Sequence, residues 1–214
     1  MQLIEKYRPR KIRDFLGLEK VKKILVEFAA RPYPSAWLFS GPPGVGKTAV
    51  ALALASEIDQ GAELLCTHSQ KCNIDQVKEI VQECEYAPIF LRARWKFFLV
   101  DEVDEVTRAA SIEFLSVLQT IPPRAIFVFT CNSSKKLEHR FRQRCKELKF
   151  SSHGLRPEIA NFLKDVWARE APIATELNFV QLAKDAQGSV RVALQNLELK
   201  LLELKSDLLP SEPA

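Results

Sequence analysis

The chain has 214 residues, 47% hydrophobic and 27% charged, with a formal net charge of +4. This is the composition of an ordinary globular protein, long enough for one large domain or a domain with a small companion. It excludes a membrane-spanning helix, because no apolar run approaches the roughly 20 residues such a helix needs.

The N-terminal stretch "MQLIEKYRPRKIRDF" carries charges where a signal peptide needs an apolar run, so a cytoplasmic location is expected, or a nuclear one in a eukaryote. It opens a basic cluster over residues 6–23 (Lys6, Arg8, Arg10, Lys11, Arg13, Lys20, Lys22, Lys23), suited to phosphate binding or to plain solvation. Apolar residues at 21, 24, 25 and 28 then have helical spacing over 18–30. "AWLFS" (36–40) reads as a buried strand, "GPPGVGKT" (41–48) as a glycine-rich turn and "AVALALASEI" (49–58) as a helix. A strand over 62–68 and a helix over 74–85 follow, then the strongly apolar "WKFFLVDEV" (95–103), a helix over 109–120, and the apolar "AIFVFTCN" (125–132).

In "HRFRQRCKELKF" (139–150), Arg140, Arg142 and Arg144 alternate as on an edge strand with a basic face, before a last short strand over 145–150. Residues 155–205 read as helical with breaks at 170–178 and 186–189, and 206–214 as a loose tail. Apolar strands alternating with helices predict an α/β fold, a parallel sheet between helices over 1–151, followed by a small all-α domain over 152–205. The five cysteines (Cys66, Cys72, Cys84, Cys131, Cys145) are odd in number and lack C-x-x-C spacing, which favours buried reduced thiols over disulfides or zinc.

The turn fits the P-loop pattern in its required context, between a strand and a helix. Its glycines let backbone N–H groups surround phosphate oxygens at a helix N-terminus, so Gly41, Pro42, Pro43, Gly44, Val45, Gly46, Lys47, Thr48 and Ala49 form a candidate ATP cradle. Lys47 would reach the β- and γ-phosphates and Thr48 would hold Mg²⁺. Asp101, at the end of an apolar strand expected beside the P-loop strand, is the second candidate for the metal. Glu102 is the candidate to orient and polarise the attacking water. Asp104 is explained as well by solvation. Asn132, at the tip of the next strand, is the candidate for contacting the γ-phosphate or the water, with Thr130 as its substitute.

With these motifs the sequence resembles the AAA+ ATPases, and among them the clamp-loader branch, over about residues 3–200. "EKYRPRKIRDFLGLEKVKKIL" resembles the clamp-loader opening, which implies that Tyr7, Arg8 and Pro9 lie near the adenine. "CTHSQKCNIDQVKEIV" resembles the small-subunit stretch with a serine before G-I-D, Asn73 standing at the glycine position. "FRQRC" resembles the Ser-Arg-Cys motif, with Gln143 in place of the serine. The resemblance makes Arg144 the arginine that enters the ATP site of the neighbouring subunit. "GSVRVALQNLE" resembles sensor 2, which makes Arg191 a γ-phosphate contact within its own subunit and the helical domain a lid. Arg108 matches residues that face DNA, its other reading being a solvated helix N-terminus.

The function implied is an ATP-hydrolysing, Mg²⁺-dependent subunit that loads a sliding clamp onto primer–template DNA, with sister subunits or copies of itself in a ring. The alternatives are a helicase loader or transposition/recombination ATPase, and a nucleotide-binding assembly module without turnover. No zinc module is expected. The sequence stops where the family's helical collar would begin, so it is either a piece of a longer protein or a compact relative; without a collar, assembly is expected to be weak or nucleotide-dependent.

Overall fold

The computed structural model describes residues 2–60, 63–68, 74–85, 94–171 and 177–208. Asn73 and residues 209–214 lie outside them.

The larger of two compact units comprises residues 9–42 and 46–151. It holds a parallel sheet of β1 (Ser35–Ser40), β2 (Glu63–His68), β3 (Lys96–Asp101), β4 (Ala125–Cys131) and β5 (Lys146–Lys149), in the order β2-β3-β4-β1-β5. Every residue of β1 and β4 is buried. This explains why these strands read as unbroken apolar runs: both of their faces are covered. The helices of this unit are α2 (Glu19–Ala30), α3 (Lys47–Ile58), α4 (Ile74–Glu85), α5 (Arg108–Gln119) and α6 (His139–Arg144).

Side chains alternate between the two faces of a strand, and the parity decides where each functional group points. Ala36 and Leu38, Phe98 and Val100, and Phe127, Phe129 and Cys131 share one core cluster with residues of α4, α5 and α6. The other parity faces α3, which packs on β3 and β4. Aromatic contacts fasten α5 and α6 to the first face: Phe129 meets Phe114 edge-on at 5.3 Å and Phe141 at 5.0 Å.

Two expectations change here. The strand carrying Asp101 is not beside the P-loop strand, because β4 lies between β1 and β3. The alternating arginines are not on a strand either. Residues 139–144 form a short helix, because burying Phe141 against Phe129 anchors it as one, and only 146–149 pair with β1.

The smaller unit comprises residues 1–8, 43–45 and 152–214. Its described part holds α1 (Leu3–Lys6), α7 (Arg156–Glu170), α8 (Phe179–Asp185) and α9 (Val190–Leu208). The N-terminal residues, expected with the α/β domain, belong here. Lys6 and the Tyr7 hydroxyl both reach Glu170 at 2.5 Å, and the Leu3 N–H donates to Glu198 at 3.2 Å. The tail also begins later than its composition suggests, since α9 continues through Leu208.

Candidate functional site

The larger unit gathers its chemistry at the C-terminal ends of the strands, where open α/β sheets take their ligands. The turn after β1 is rooted on both neighbouring strands: the Gly41 N–H donates to the Cys131 carbonyl at 3.2 Å, and the Phe150 N–H to the Ser40 carbonyl at 2.7 Å. A Cβ at Gly41 would lie 2.2 Å from the Phe150 carbonyl oxygen, so only glycine allows this approach. α3 starts immediately after the turn, with the Val50 N–H donating to the Gly46 carbonyl at 2.8 Å.

Lys47, 8% exposed, turns back into the loop. Its ammonium donates to the carbonyls of Gly41 (2.6 Å) and Pro42 (3.0 Å) and to Asn132 Oδ1 (3.1 Å). Burial lowers its pKa below the ordinary lysine value, against the pull of Cys131, Asp101, Asp104 and Glu102. All three N–H donors are occupied, so an incoming phosphate must replace these acceptors rather than add to them.

The Thr48 hydroxyl donates to Asp101 at 2.8 Å, and Thr130 donates to the same carboxylate while accepting the Glu102 N–H at 3.0 Å. Parity accounts for the cluster: Val100 pairs with Phe129, so Asp101, the last residue of β3, and Thr130, the last but one of β4, lie side by side on the α3 face. Asn132, two residues after Thr130, keeps that parity. The hydroxyl of Thr48 and the carboxylate of Asp101 are hard oxygen donors at the head of a phosphate-binding turn. They fit Mg²⁺, which takes one or two protein ligands beside phosphate and water.

Glu102 has φ 58° and ψ 44°, a left-handed conformation uncommon for a side chain of its kind. Its N–H to Thr130 and its carbonyl, which accepts the Glu105 N–H at 2.9 Å, hold it there. Its side chain is exposed and has no hydrogen-bond or ion-pair partner among the described residues. Local strain of this kind persists only where the surroundings over-determine it. Asp104 does different work: its carboxylate accepts the N–H groups of Asn132 and Ser133, both at 3.2 Å, and so caps the end of β4.

Arg144 ends α6 with one hydrogen bond, to the Arg140 carbonyl in its own helix at 3.0 Å. Among the described residues it has no carboxylate partner. Its neighbours differ: Arg140 pairs with Glu138 at 2.9 Å and Arg142 with Glu147 at 3.4 Å. Arg108, 82% exposed, lies 3.4 Å from Glu138. Cys131 and Cys145 are free and buried, and burial pushes both thiols up to about 12, leaving them inert.

The other predicted residues belong to the helical unit, apart from Pro9, the first residue of the α/β unit. The Tyr7 ring packs edge-on to Phe162, and burial together with the bond to Glu170 raises its phenol pKa. Arg8 pairs with Glu5 at 2.5 Å. Arg191 lies in the first turn of α9, next to Ser189, whose hydroxyl caps that helix by accepting the Val192 N–H. Gly44, at φ 76°, abuts this cap: a Cβ there would lie 2.0 Å from Ser189 Oγ and 3.7 Å from Arg191 Cβ.

Two roles were missed by sequence reasoning. Thr130 braces Asp101 and Glu102 rather than substituting for Asn132, and the signal was a threonine at the α3-facing parity of an otherwise apolar strand. The cap formed by Asp104 has no local signal, since its partners lie 28 and 29 residues away.

Residues 37–152 match the family described as the ATPase family associated with various cellular activities (AAA). The chain is 31% identical over 152 residues to the replication factor C small subunit of Methanocella arvoryzae, covering 68% of this chain and 47% of that protein. It is 26% identical over 220 residues to the DNA polymerase III subunit gamma of Buchnera aphidicola subsp. Schizaphis graminum, covering 92% and 60% respectively. The chain thus spans about half to three-fifths of the length of these relatives. In fold it is similar to the Holliday junction branch migration motor RuvB of Thermotoga maritima, with a TM-score of 0.73 at 23% identity over 89% of this chain and 64% of that one. No described helix is long and apolar enough to cross a membrane.

Proposed function

The chain belongs to the AAA family of ATPases, and from that premise we propose that it is an ATP-hydrolysing subunit of clamp-loader type, which loads a sliding clamp onto primer–template DNA during replication. The observation that carries this reading is the contrast at the strand ends. Lys47, Thr48, Asp101 and Asn132 bond to one another within the chain, whereas Arg144 has no carboxylate to neutralise it among the described residues. An arginine left in this way suits the ATP of a neighbouring subunit, and the names of the relatives agree with such an assembly.

In this reading Lys47 exchanges its loop carbonyls for the β- and γ-phosphate oxygens, which also releases Asn132 to contact the γ-phosphate or the attacking water. Thr48 and Asp101 would hold Mg²⁺, which would supply positive charge to neutralise the charge developing on the phosphates. Glu102 orients a water and takes its proton as the water oxygen bonds to the γ-phosphorus and the bond to the β–γ bridging oxygen breaks. Arg144 stabilises that charge in the next subunit, and Arg191 does so in its own. Tyr7, Arg8 and Pro9 flank the adenine. Contacts to DNA, Arg108 among them, are to backbone phosphates, so binding weakens steeply with salt and ignores sequence.

Steady-state ATPase measurements with primed DNA, with and without a clamp, test this. Stimulation by clamp and DNA together is expected. Turnover that neither partner changes removes the clamp-loading assignment, and its absence under every condition leaves a nucleotide-binding assembly module. Arg144→Ala is expected to retain ATP binding and to lose hydrolysis in the assembly by roughly 10³-fold or more, the scale of other arginine fingers.

A further inference from the structure

A second polar cluster occupies the opposite face of the same sheet edge, and no role assigned so far uses it. Its centre is Glu147 on β5, mostly buried at 19% side-chain exposure. Glu147 pairs in register with Leu38, and Leu38 faces the α4–α6 core, so Glu147 points to that side. Two segments converge on its carboxylate. Ser40, the last residue of β1 and the one before Gly41, donates its hydroxyl at 2.8 Å. Arg142 Nη2, on α6, lies 3.4 Å away, while Arg142 Nε is buried with no hydrogen-bond partner.

We infer that Glu147 is a positioning residue, which ties the orientation of α6, and through it Arg144, to the root of the phosphate loop. The inference rests on the reading of Arg144 as acting on a neighbouring subunit's ATP. Phe141 and the adjoining Cys145 hold α6 to the core through apolar packing. Glu147, through Arg142 on the residue after Phe141, adds a polar tie to β5. Among the described residues the Arg144 side chain bonds to its own helix alone, so its direction follows that of α6. Phosphate entering the loop must displace Lys47 from the Gly41 carbonyl, one residue from Ser40, and the Ser40–Glu147 bond connects that displacement to α6. Burial acts to raise the Glu147 carboxyl, but the bond from Ser40 and the charge of Arg142 help to outweigh it and hold the group below the usual glutamate range.

The test is a double-mutant cycle on the full chain, with kcat and KM for ATP measured at protein concentrations high enough to saturate turnover. Glu147→Gln keeps the shape and an acceptor for Ser40 but removes the charge facing Arg142. It is expected to lower kcat by about 10- to 100-fold, the cost of misplacing a catalytic group by about an ångström, with KM nearly unchanged. In an Arg144→Ala background the same change is expected to cost no more than about twofold, because residues acting as one unit are not additive. Full additivity, or an unchanged kcat, overturns the positioning role while leaving the trans arginine intact. If Arg144→Ala alone has no effect, the trans reading fails, and this inference with it. Should Glu147→Gln not fold, Ser40→Ala carries the same cycle: a smaller kcat loss that vanishes in the Arg144→Ala background supports the inference, and any other result overturns it.

Discussion

The two polar clusters at the strand ends of the larger unit are built on opposite principles. On the α3 face, Lys47, Thr48, Asp101, Thr130 and Asn132 satisfy one another, and the side chain left over is that of Glu102. On the α6 face, Glu147 accepts from Ser40 and from one nitrogen of Arg142, and Arg144 meets no carboxylate among the described residues. Each cluster thus fixes a framework and leaves one charged group without an opposite charge among the described residues, a carboxylate on one side and a guanidinium on the other. The carboxylate suits a water molecule within its own site, whereas the guanidinium suits an anion that this chain does not supply.

The comparison breaks first at Lys47. Lys47→Ala removes the cation from the first cluster, and both ATP binding and turnover are expected to disappear, as measured by nucleotide-binding titration and phosphate release. If tight ATP binding persists, the cluster is not the phosphate site. Asn132→Ala leaves the cation in place and is expected to lower kcat by about 10²-fold, the scale for one lost polar contact to the reacting group, with binding changed far less. Asp104→Ala sharpens the division between framework and chemistry. It leaves two backbone N–H groups without their carboxylate, so unfolding should become easier by about 1–3 kcal/mol, read from denaturant curves, while ATP affinity changes little. Equal losses in both would make Asp104 part of the site rather than its cap.

The smallest effect concerns acid. The Glu147 carboxyl is held low in the folded chain, so its stabilisation is complete above the ordinary value of 4.5 and is lost as pH falls through the depressed folded value. Glu147→Gln should therefore be less stable than the parent near neutrality, and the two should converge at strongly acidic pH. A constant gap in unfolding free energy across that range would mean that the carboxylate charge contributes nothing.

The contrast also explains what was legible in the sequence. The glycine-rich turn could be read because it is a run of consecutive residues whose backbone makes the loop, and Asp101 because it closes one of the unbroken apolar runs by which buried strands announce themselves. Strand order could not be read, since no local pattern records which strand a crossover lands beside, and so β4 was not expected between β1 and β3. The alternating arginines misled because six residues are too few to display a helical period. The burial of Phe141, a tertiary fact, decides that segment. Glu147 had no signal at all, because its best-made bond spans 107 residues of chain.

The position of β4 has a consequence of its own. Thr130 serves the carboxylate on one neighbouring strand and Asn132 serves the lysine that follows the other, so a single strand is the gauge for both. Sliding β4 by one residue would turn both side chains to the wrong face together. The lysine end and the carboxylate end of the cluster therefore share one calibration, and damage to the register of β4, even at a residue outside the cluster, would detune them in step.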